Sequence, residues 1–158
     1  MKILGIRTSI NAVRYAILSD NSGTISWMNH SDNRLVYPRD MHEIENKIVW
    51  LSEQIRRILV QENNIDKIII KIPEYGRNDT APNRASDYLD AVIILEATAR
   101  DIVIPVELKN YRAINTRSNE VMQYAETHIG RTEHYWDALM ADSLAAAYSG
   151  FDHEGERI

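Results

Sequence analysis

Short apolar runs separated by polar turns fill the first 30 residues of the chain. The runs "KILGIRT" and "AVRYAILSD" have strand length and are joined by the turn "SINA". A third run, "GTISWMNH", follows the turn-forming segment "DNSG". Apolar runs of this length between tight turns predict three strands that pair in sequence order. The chain therefore opens as an antiparallel meander.

Helical spacing replaces this pattern further along. Between Met41 and Gln61 the apolar residues recur every three or four positions, as Ile44, Ile48, Leu51, Ile55, Ile58 and Leu59. Asp40 stands three residues before Glu43, which is the spacing of a helix capping box. A second helix is predicted over residues 84–100, with Pro82 near its start.

The second half of the chain alternates strands with helices. "DKIIIKIP" is a β-branched run typical of a strand buried on both faces, and "IVIPVEL" is a further strand. A short helix is predicted over residues 119–127, and a last helix ends at Tyr148 with Thr132 as its cap. The order is β-β-β-α-β-α-β-α, in which strands joined through helices run parallel to the first strand.

Length and composition limit the kinds of protein that this chain can form. A chain of 158 residues with 44% hydrophobic content fits one domain, predicted over residues 1–150, while 151–158 form a tail expected to fray. There is no cysteine, which excludes disulfides and thiolate chemistry. No apolar stretch reaches the ~20 residues of a membrane span, and no signal peptide is recognisable, so a cytoplasmic location and no membrane contact are expected.

The predicted element order resembles that of RNase H-like domains, an α/β fold with a five-stranded mixed sheet and helices on both faces. "ILGIRTSINAVRYAILSD" resembles the opening strand pair of RuvC-type resolvases and of YqgF proteins, and "DALMADSLAAAYS" resembles their closing helix. "IDKIIIKIPEYG" stands where such nucleases have the strand that ends in a catalytic glutamate. "ILGIRT" and "IDKIIIK" are also similar to strands of an uncharacterised bacterial family of this fold.

The resemblance implies a changed active centre. Nucleases of this fold hold two divalent cations with acidic residues on the first strand, the fourth strand and the last helix. Carried over, the strand positions fall on Arg7 and Lys71, and only the helix acid, Asp142, is retained. Because a guanidinium and an ammonium cannot ligate Mg²⁺, no metal and no other cofactor is expected. The two cations either pair with Asp142 or point to solvent.

A RuvC-like pseudo-nuclease is therefore the leading hypothesis, acting as a non-catalytic binding module for nucleic acid or a protein partner. A first alternative is a resolvase-like nuclease that uses Mg²⁺ or Mn²⁺ with Glu74, Asp137 and Asp142 as candidate catalytic acids. Five residues along a helix leave Asp137 and Asp142 about 140° apart, which argues against a shared site. A second alternative is a protein-interaction or inhibitor-like protein. Related resolvases act as dimers, so the resemblance also implies a homodimer.

Two loops leave the carboxyl ends of the predicted parallel strands, which is the usual ligand edge of an open α/β sheet. They read "PEYGRNDTAPNR" and "KNYRAINTR". The net charge of −5 disfavours indiscriminate binding to nucleic acid but leaves local basic patches. Basic and aromatic residues together suit phosphates and unstacked bases, so branched or single-stranded nucleic acid is the expected partner. The candidate contacts are Arg77, Arg84, Lys109, Tyr111, Arg112 and Arg117.

Overall fold

The computed structural model describes residues 1–74, 76 and 80–151. The strands are β1 (Lys2–Arg7), β2 (Ala12–Asn21), β3 (Thr24–Trp27), β4 (Arg34–Val36), β5 (Lys67–Lys71) and β6 (Val106–Lys109). The helices are α1 (Ile44–Gln61), α2 (Ala81–Thr98), α3 (Tyr111–Ile114), α4 (Val121–His128) and α5 (Ala138–Tyr148).

One mixed sheet organises the chain, in the order β3-β2-β1-β5-β6, with the short β4 also paired to β2. β1 runs antiparallel to β2 and parallel to β5, which in turn runs parallel to β6. α1 and α2 cover one face, and α4 and α5 cover the other. The predicted fold class, an α/β mixed sheet with helices on both faces, is confirmed, although the sheet has six strands rather than the predicted five because β4 adds to β2.

Several predicted boundaries are wrong, each for a local reason. α1 begins at Ile44 without the predicted capping box, because Asp40 lies in a turn closed by a hydrogen bond from Met41 N to Pro38 O (3.0 Å). α2 begins at Ala81, since the Thr80 side chain accepts from Asn83 N. β6 begins at Val106, after Pro105.

The last helix also starts later than predicted. α5 begins at Ala138 with Asp137 as its N-cap, and Thr132 does not cap it. Tyr135 has φ 58°, which lies outside helical geometry and keeps the preceding segment out of the helix. The one-turn α3 and the short β4 were not predicted. In the described part of the chain, none of the helices has the length and apolar character needed to cross a bilayer.

Each face of the sheet carries its own core. Ile6, Ile68 and Ile70 pack with α1 and α2, whereas Ile3 and Ile69 pack with α4 and α5. Alternate side chains of a strand point to opposite faces, so the run "IIIK" supplies both layers and leaves its lysine on the α5 face. Phe151, where the predicted tail begins, is buried in the second core; residues 152–158 lie outside the described part of the chain.

Gly5 lets α5 approach β1 at backbone distance. A Cβ at this position would lie 2.6 Å from Ala147 N, 2.8 Å from Ala147 Cβ and closer still to Ser143 O. Two of these atoms belong to the helix backbone and cannot move without displacing the helix. The glycine therefore fixes how near α5, and the acid it carries, can come to the sheet.

A buried acid joins the end of β1 to α2. Asp90 is 4% exposed, and its Oδ1 accepts a 2.6 Å hydrogen bond from Thr8 Oγ1. Its other oxygen is buried without a partner among the described residues. Burial is the main cause that raises the pKa of Asp90 to about 7, and the hydrogen bond from Thr8 opposes it.

Gly5→Ala is expected to lower the free energy of unfolding by about 3 kcal/mol, because the new methyl group overlaps helix backbone. Urea denaturation measures the change. Gly76→Ala is the matched control, since a Cβ there meets nothing within 4 Å. If the Gly5→Ala variant is as stable as the wild type, the close contact between α5 and β1 is wrong.

Asp90→Asn is expected to stabilise the protein increasingly as pH rises from about 4 to about 7. The folded pKa lies above the unfolded one, so the wild type loses stability as the pH rises through this window, and Asn cannot ionise. A shift of about three pKa units corresponds to at most ~4 kcal/mol. The measurement is the difference in unfolding free energy between variant and wild type at pH 4, 6 and 8. A difference that does not change with pH would contradict the buried acid.

Candidate functional site

Basic residues line up across the sheet near the carboxyl end of β1. The pairing register sets Arg7 opposite Arg14, Arg14 opposite Arg34, and Lys71 opposite Lys109. Ile6 is paired with Ile70, so Arg7 lies beside Lys71, and Arg7 Nη1 reaches the carbonyl oxygen of Lys71 at 3.5 Å. Directly paired residues share a face, which here is the face covered by α5. We call these five residues the cationic row.

Arg7 makes an ion pair with the acid on α5. Arg7 Nε donates to Asp142 Oδ2 at 3.1 Å, and the hydroxyl of Tyr111 donates to Asp142 Oδ1 at 2.8 Å. Asp142 is 1% exposed. Burial raises the pKa of the Asp142 carboxyl, while the Tyr111 hydrogen bond and the charges of Arg7 and Lys71 oppose that shift. Both carboxylate oxygens thus have a donor.

Lys71 is fully buried and meets Tyr111 rather than Asp142. Its Nζ lies 3.9 Å from the centre of the Tyr111 ring and 3.2 Å from Glu74 Oε1. The same Glu74 oxygen accepts from Tyr111 N at 2.7 Å. Burial lowers the pKa of Lys71, and the charge of Asp142 opposes this effect. Arg7, Lys71, Glu74, Tyr111 and Asp142 therefore form one connected group, which we call the central cluster.

The other side of the cationic row is held by the segment before α5. Arg14 Nη2 donates to Asp137 Oδ2 at 2.9 Å, while Asp137 Oδ1 caps α5 by accepting from Met140 N. The Arg34 guanidinium lies 3.9 Å from the centre of the Tyr135 ring. Sequence reasoning did not single out Arg14 or Arg34. The sequence did contain a signal for Arg14, because a hairpin closed by the turn "SINA" places Arg7 opposite Arg14.

The three candidate catalytic acids do not form a shared metal site. Glu74 is bound to Lys71 and Tyr111, Asp137 is bound to Arg14 and Met140, and Asp142 is bound to Arg7 and Tyr111. No group of three or more acidic, histidine or cysteine side chains suited to a metal occurs within residues 1–74, 76 and 80–151. Mg²⁺ and Mn²⁺ need several free oxygen ligands. Here two cations, Arg7 and Lys71, lie beside Asp142, and both Asp142 oxygens already accept hydrogen bonds, so the site does not fit either metal.

An open groove of about 720 Å³ adjoins the central cluster. Its wall begins at Glu74 and Tyr111 and continues through the loop between α3 and α4, with Arg112, Asn115, Thr116, Arg117, Ser118 and Glu120. Arg112 and Arg117 are exposed. The structure therefore gathers three of the predicted nucleic-acid contacts, Tyr111, Arg112 and Arg117, around one groove.

Two of the remaining predicted contacts, Lys109 and Arg84, are not among the residues that line this groove. The Lys109 ammonium donates to the carbonyl and hydroxyl oxygens of Ser149, both at 3.1 Å, and is only partly exposed. Arg84 is exposed in the first turn of α2. Arg77 lies outside the described residues. Of the described candidates, Tyr111, Arg112 and Arg117 line the groove, while Lys109 is bound to Ser149.

Comparison with known proteins rests on the structure alone. No protein-family model matches the sequence, and no curated protein matches it. The fold is similar to that of Thermus thermophilus RuvC, with a TM-score of 0.73 at 11% identity over 94% of this chain and 92% of that chain. The same protein in complex with a Holliday junction substrate gives a TM-score of 0.74 at 12% identity, over 94% and 91% of the two chains.

A second resolvase shows the same likeness over the whole length. Fowlpox virus resolvase, in complex with substrate Holliday junction DNA, has a TM-score of 0.53 at 16% identity, over 95% of this chain and 96% of that chain. At these identities the similarity is one of fold. The chain has the RNase H-like fold in the form seen in RuvC and other Holliday junction resolvases.

Proposed function

We propose that this protein is a RuvC-like pseudo-nuclease that acts as a non-catalytic nucleic-acid-binding module. The single observation that supports the proposal is that both carboxylate oxygens of Asp142 accept hydrogen bonds, one from Arg7 and one from Tyr111. The acid that would serve a metal instead joins α5 to β1. Arg7 and Lys71 take the place of two acids and supply positive charge where resolvase-type chemistry needs negative charge.

Positive charge beside Asp142 opposes the binding of a further cation there. Two unit charges about 4 Å apart interact by about 4 kcal/mol at an effective dielectric constant of 20. A divalent cation beside Asp142 would meet the Arg7 guanidinium and the buried Lys71 ammonium, and would displace two hydrogen-bond donors. The central cluster therefore favours a structural role over the activation of water.

Binding is expected beside the cluster rather than in it. Lys71 is 1% exposed, so phosphates cannot reach it. Arg112 and Arg117 are exposed at the neighbouring groove, on the edge of the sheet where open α/β folds bind ligands. Two exposed arginines at a groove that also contains Glu74 and Glu120, on a chain of net charge −5, support a limited contact, as on a branch point or an unpaired strand, rather than a long duplex track.

Asp142→Asn is expected to lower the free energy of unfolding by about 3 kcal/mol, since it leaves Arg7 without its counter-charge. Adding Arg7→Gln should restore part of the loss, so that urea denaturation of the two single variants and the double variant gives a favourable coupling energy. In a cluster of catalytic acids, Asp→Asn would instead relieve repulsion between carboxylates. A neutral or stabilising Asp142→Asn would therefore contradict the ion pair.

The proposed function is tested by titrating purified protein with Mg²⁺ and Mn²⁺ while following thermal stability, with labelled four-way, single-stranded and duplex nucleic acids present. We expect no metal-induced rise in Tm, no cleavage, and salt-sensitive binding to branched or single-stranded molecules. A metal-dependent product that disappears in Asp142→Asn or Asp137→Asn would show a surviving nuclease. Failure to bind any of these nucleic acids would overturn the binding role and leave a protein partner as the remaining explanation.

A further inference from the structure

The groove beside the central cluster is large enough for a specific ligand. Its volume of about 720 Å³ falls within the range of roughly 300 to 1,000 Å³ that is usual for small-molecule pockets. It is open to solvent on one side and is walled by Tyr111 and the α3–α4 loop. This volume is large enough for a single nucleotide.

The aromatic wall of the groove is held in place before any ligand arrives. The Tyr111 hydroxyl donates to Asp142, its backbone N–H donates to Glu74, and its ring lies against the Lys71 ammonium. Because these contacts fix both the backbone and the ring, stacking a base on the part of the ring that lines the groove costs little side-chain entropy. Stacking on an aromatic side chain stabilises a bound base without regard to its identity.

Polar groups of two kinds surround this ring. Arg112 and Arg117 provide positive charge, and Asn115, Thr116 and Ser118 provide amide and hydroxyl groups of the type that bind sugars and base edges. Asn115 has φ 71°, and Thr116 N donates to the backbone carbonyl oxygen of Tyr111 at 3.0 Å, so the start of the loop is folded back onto the Tyr111 backbone. The loop and the ring therefore form one preorganised surface.

The charges limit how many phosphates the groove can accept. Glu74 and Glu120 line the same groove as the two arginines, so its formal charge is close to zero. One or two phosphates can pair with Arg112 and Arg117, but a longer run of phosphates would meet carboxylates. This balance favours a short unpaired segment over a duplex backbone.

We propose that this groove binds one unpaired nucleotide of a strand, with the base stacked on Tyr111 and the adjoining phosphates paired with Arg112 and Arg117. This rests on the proposed nucleic-acid-binding function and specifies its ligand. The module then selects branched molecules that expose an unpaired nucleotide over those in which every base is paired.

The experiment compares two four-way DNA junctions that differ at one position. One is fully paired, and the other carries a single unpaired 2-aminopurine nucleotide at the branch point. We expect at least fivefold tighter binding to the second junction, together with a change in 2-aminopurine fluorescence on binding. For a short single strand containing 2-aminopurine, the slope of log K against log salt concentration should be about −1.4, as for two phosphate contacts.

Arg112→Gln and Arg117→Gln should each weaken binding to the unpaired junction about fivefold and reduce the salt slope on the single strand by about 0.7. Arg57→Gln is the matched control, because Arg57 is exposed on α1 and lies away from the groove-lining residues. It loses the same charge and should bind like the wild type.

The outcomes separate this inference from the proposed function. Equal affinity for both junctions, or losses in the Arg112 and Arg117 variants no larger than in Arg57→Gln, would overturn the groove as the site while the binding function stands. No binding to either junction or to the single strand would overturn both. A fluorescence titration in which the Arg112→Gln/Arg117→Gln double variant has the same midpoint as the wild type would also contradict the site.

Discussion

The structure depends on a buried carboxylate that is shared between a strand and a helix. Asp142 on α5 is held by Arg7 from β1 and by Tyr111 from α3, so three elements distant in sequence meet at two oxygen atoms. A charge buried to this degree is tolerated only when it is paired and hydrogen-bonded. Lys71 and Glu74 extend the contact to β5 through the same tyrosine. The position of α5 over the sheet, the fixed Tyr111 ring and the groove beside it all follow from this arrangement.

The central cluster brings two cations, Arg7 and Lys71, close to the two carboxylates of Asp142 and Glu74. Here each cation has a specific partner: Arg7 has Asp142, while Lys71 has Glu74 and the face of Tyr111. Removal of one partner is then costly, since the other is left as an uncompensated charge in a poorly solvated place. Such a cluster stabilises the fold by connecting β1, α5 and the end of β5.

Sequence patterns predicted the fold class because strand and helix periods are local properties. They also singled out Arg7, Lys71 and Asp142, through the resemblance of three short segments, but left open whether the two cations pair with the acid or point to solvent. They could not predict that Tyr111 would supply the second donor to Asp142, since this depends on an unpredicted single turn of helix whose cap is Asn110. The start of α5 was missed for a related reason: Asp137 serves as both cap and partner of Arg14, and that partner is set by strand register rather than by nearby sequence. Contacts between residues distant in sequence therefore determine which side chains pair in the site.

The cationic row has a consequence for how the strands find one another. Arg7, Arg14 and Arg34 are paired across β1, β2 and β4. On the face where they lie, Asp142 and Asp137 form ion pairs with Arg7 and Arg14. The Tyr135 ring contacts Arg34 on the same face. A slip of one residue in any of these pairings would turn an arginine into the apolar layer beneath α1 and α2. Such a slip buries an unpaired guanidinium among apolar side chains. The free-energy cost of that burial is far larger than the cost of exposing a methyl group to solvent. The row thus penalises misaligned sheets during folding and favours the alignment in which Arg7 and Arg14 meet the carboxylates of Asp142 and Asp137.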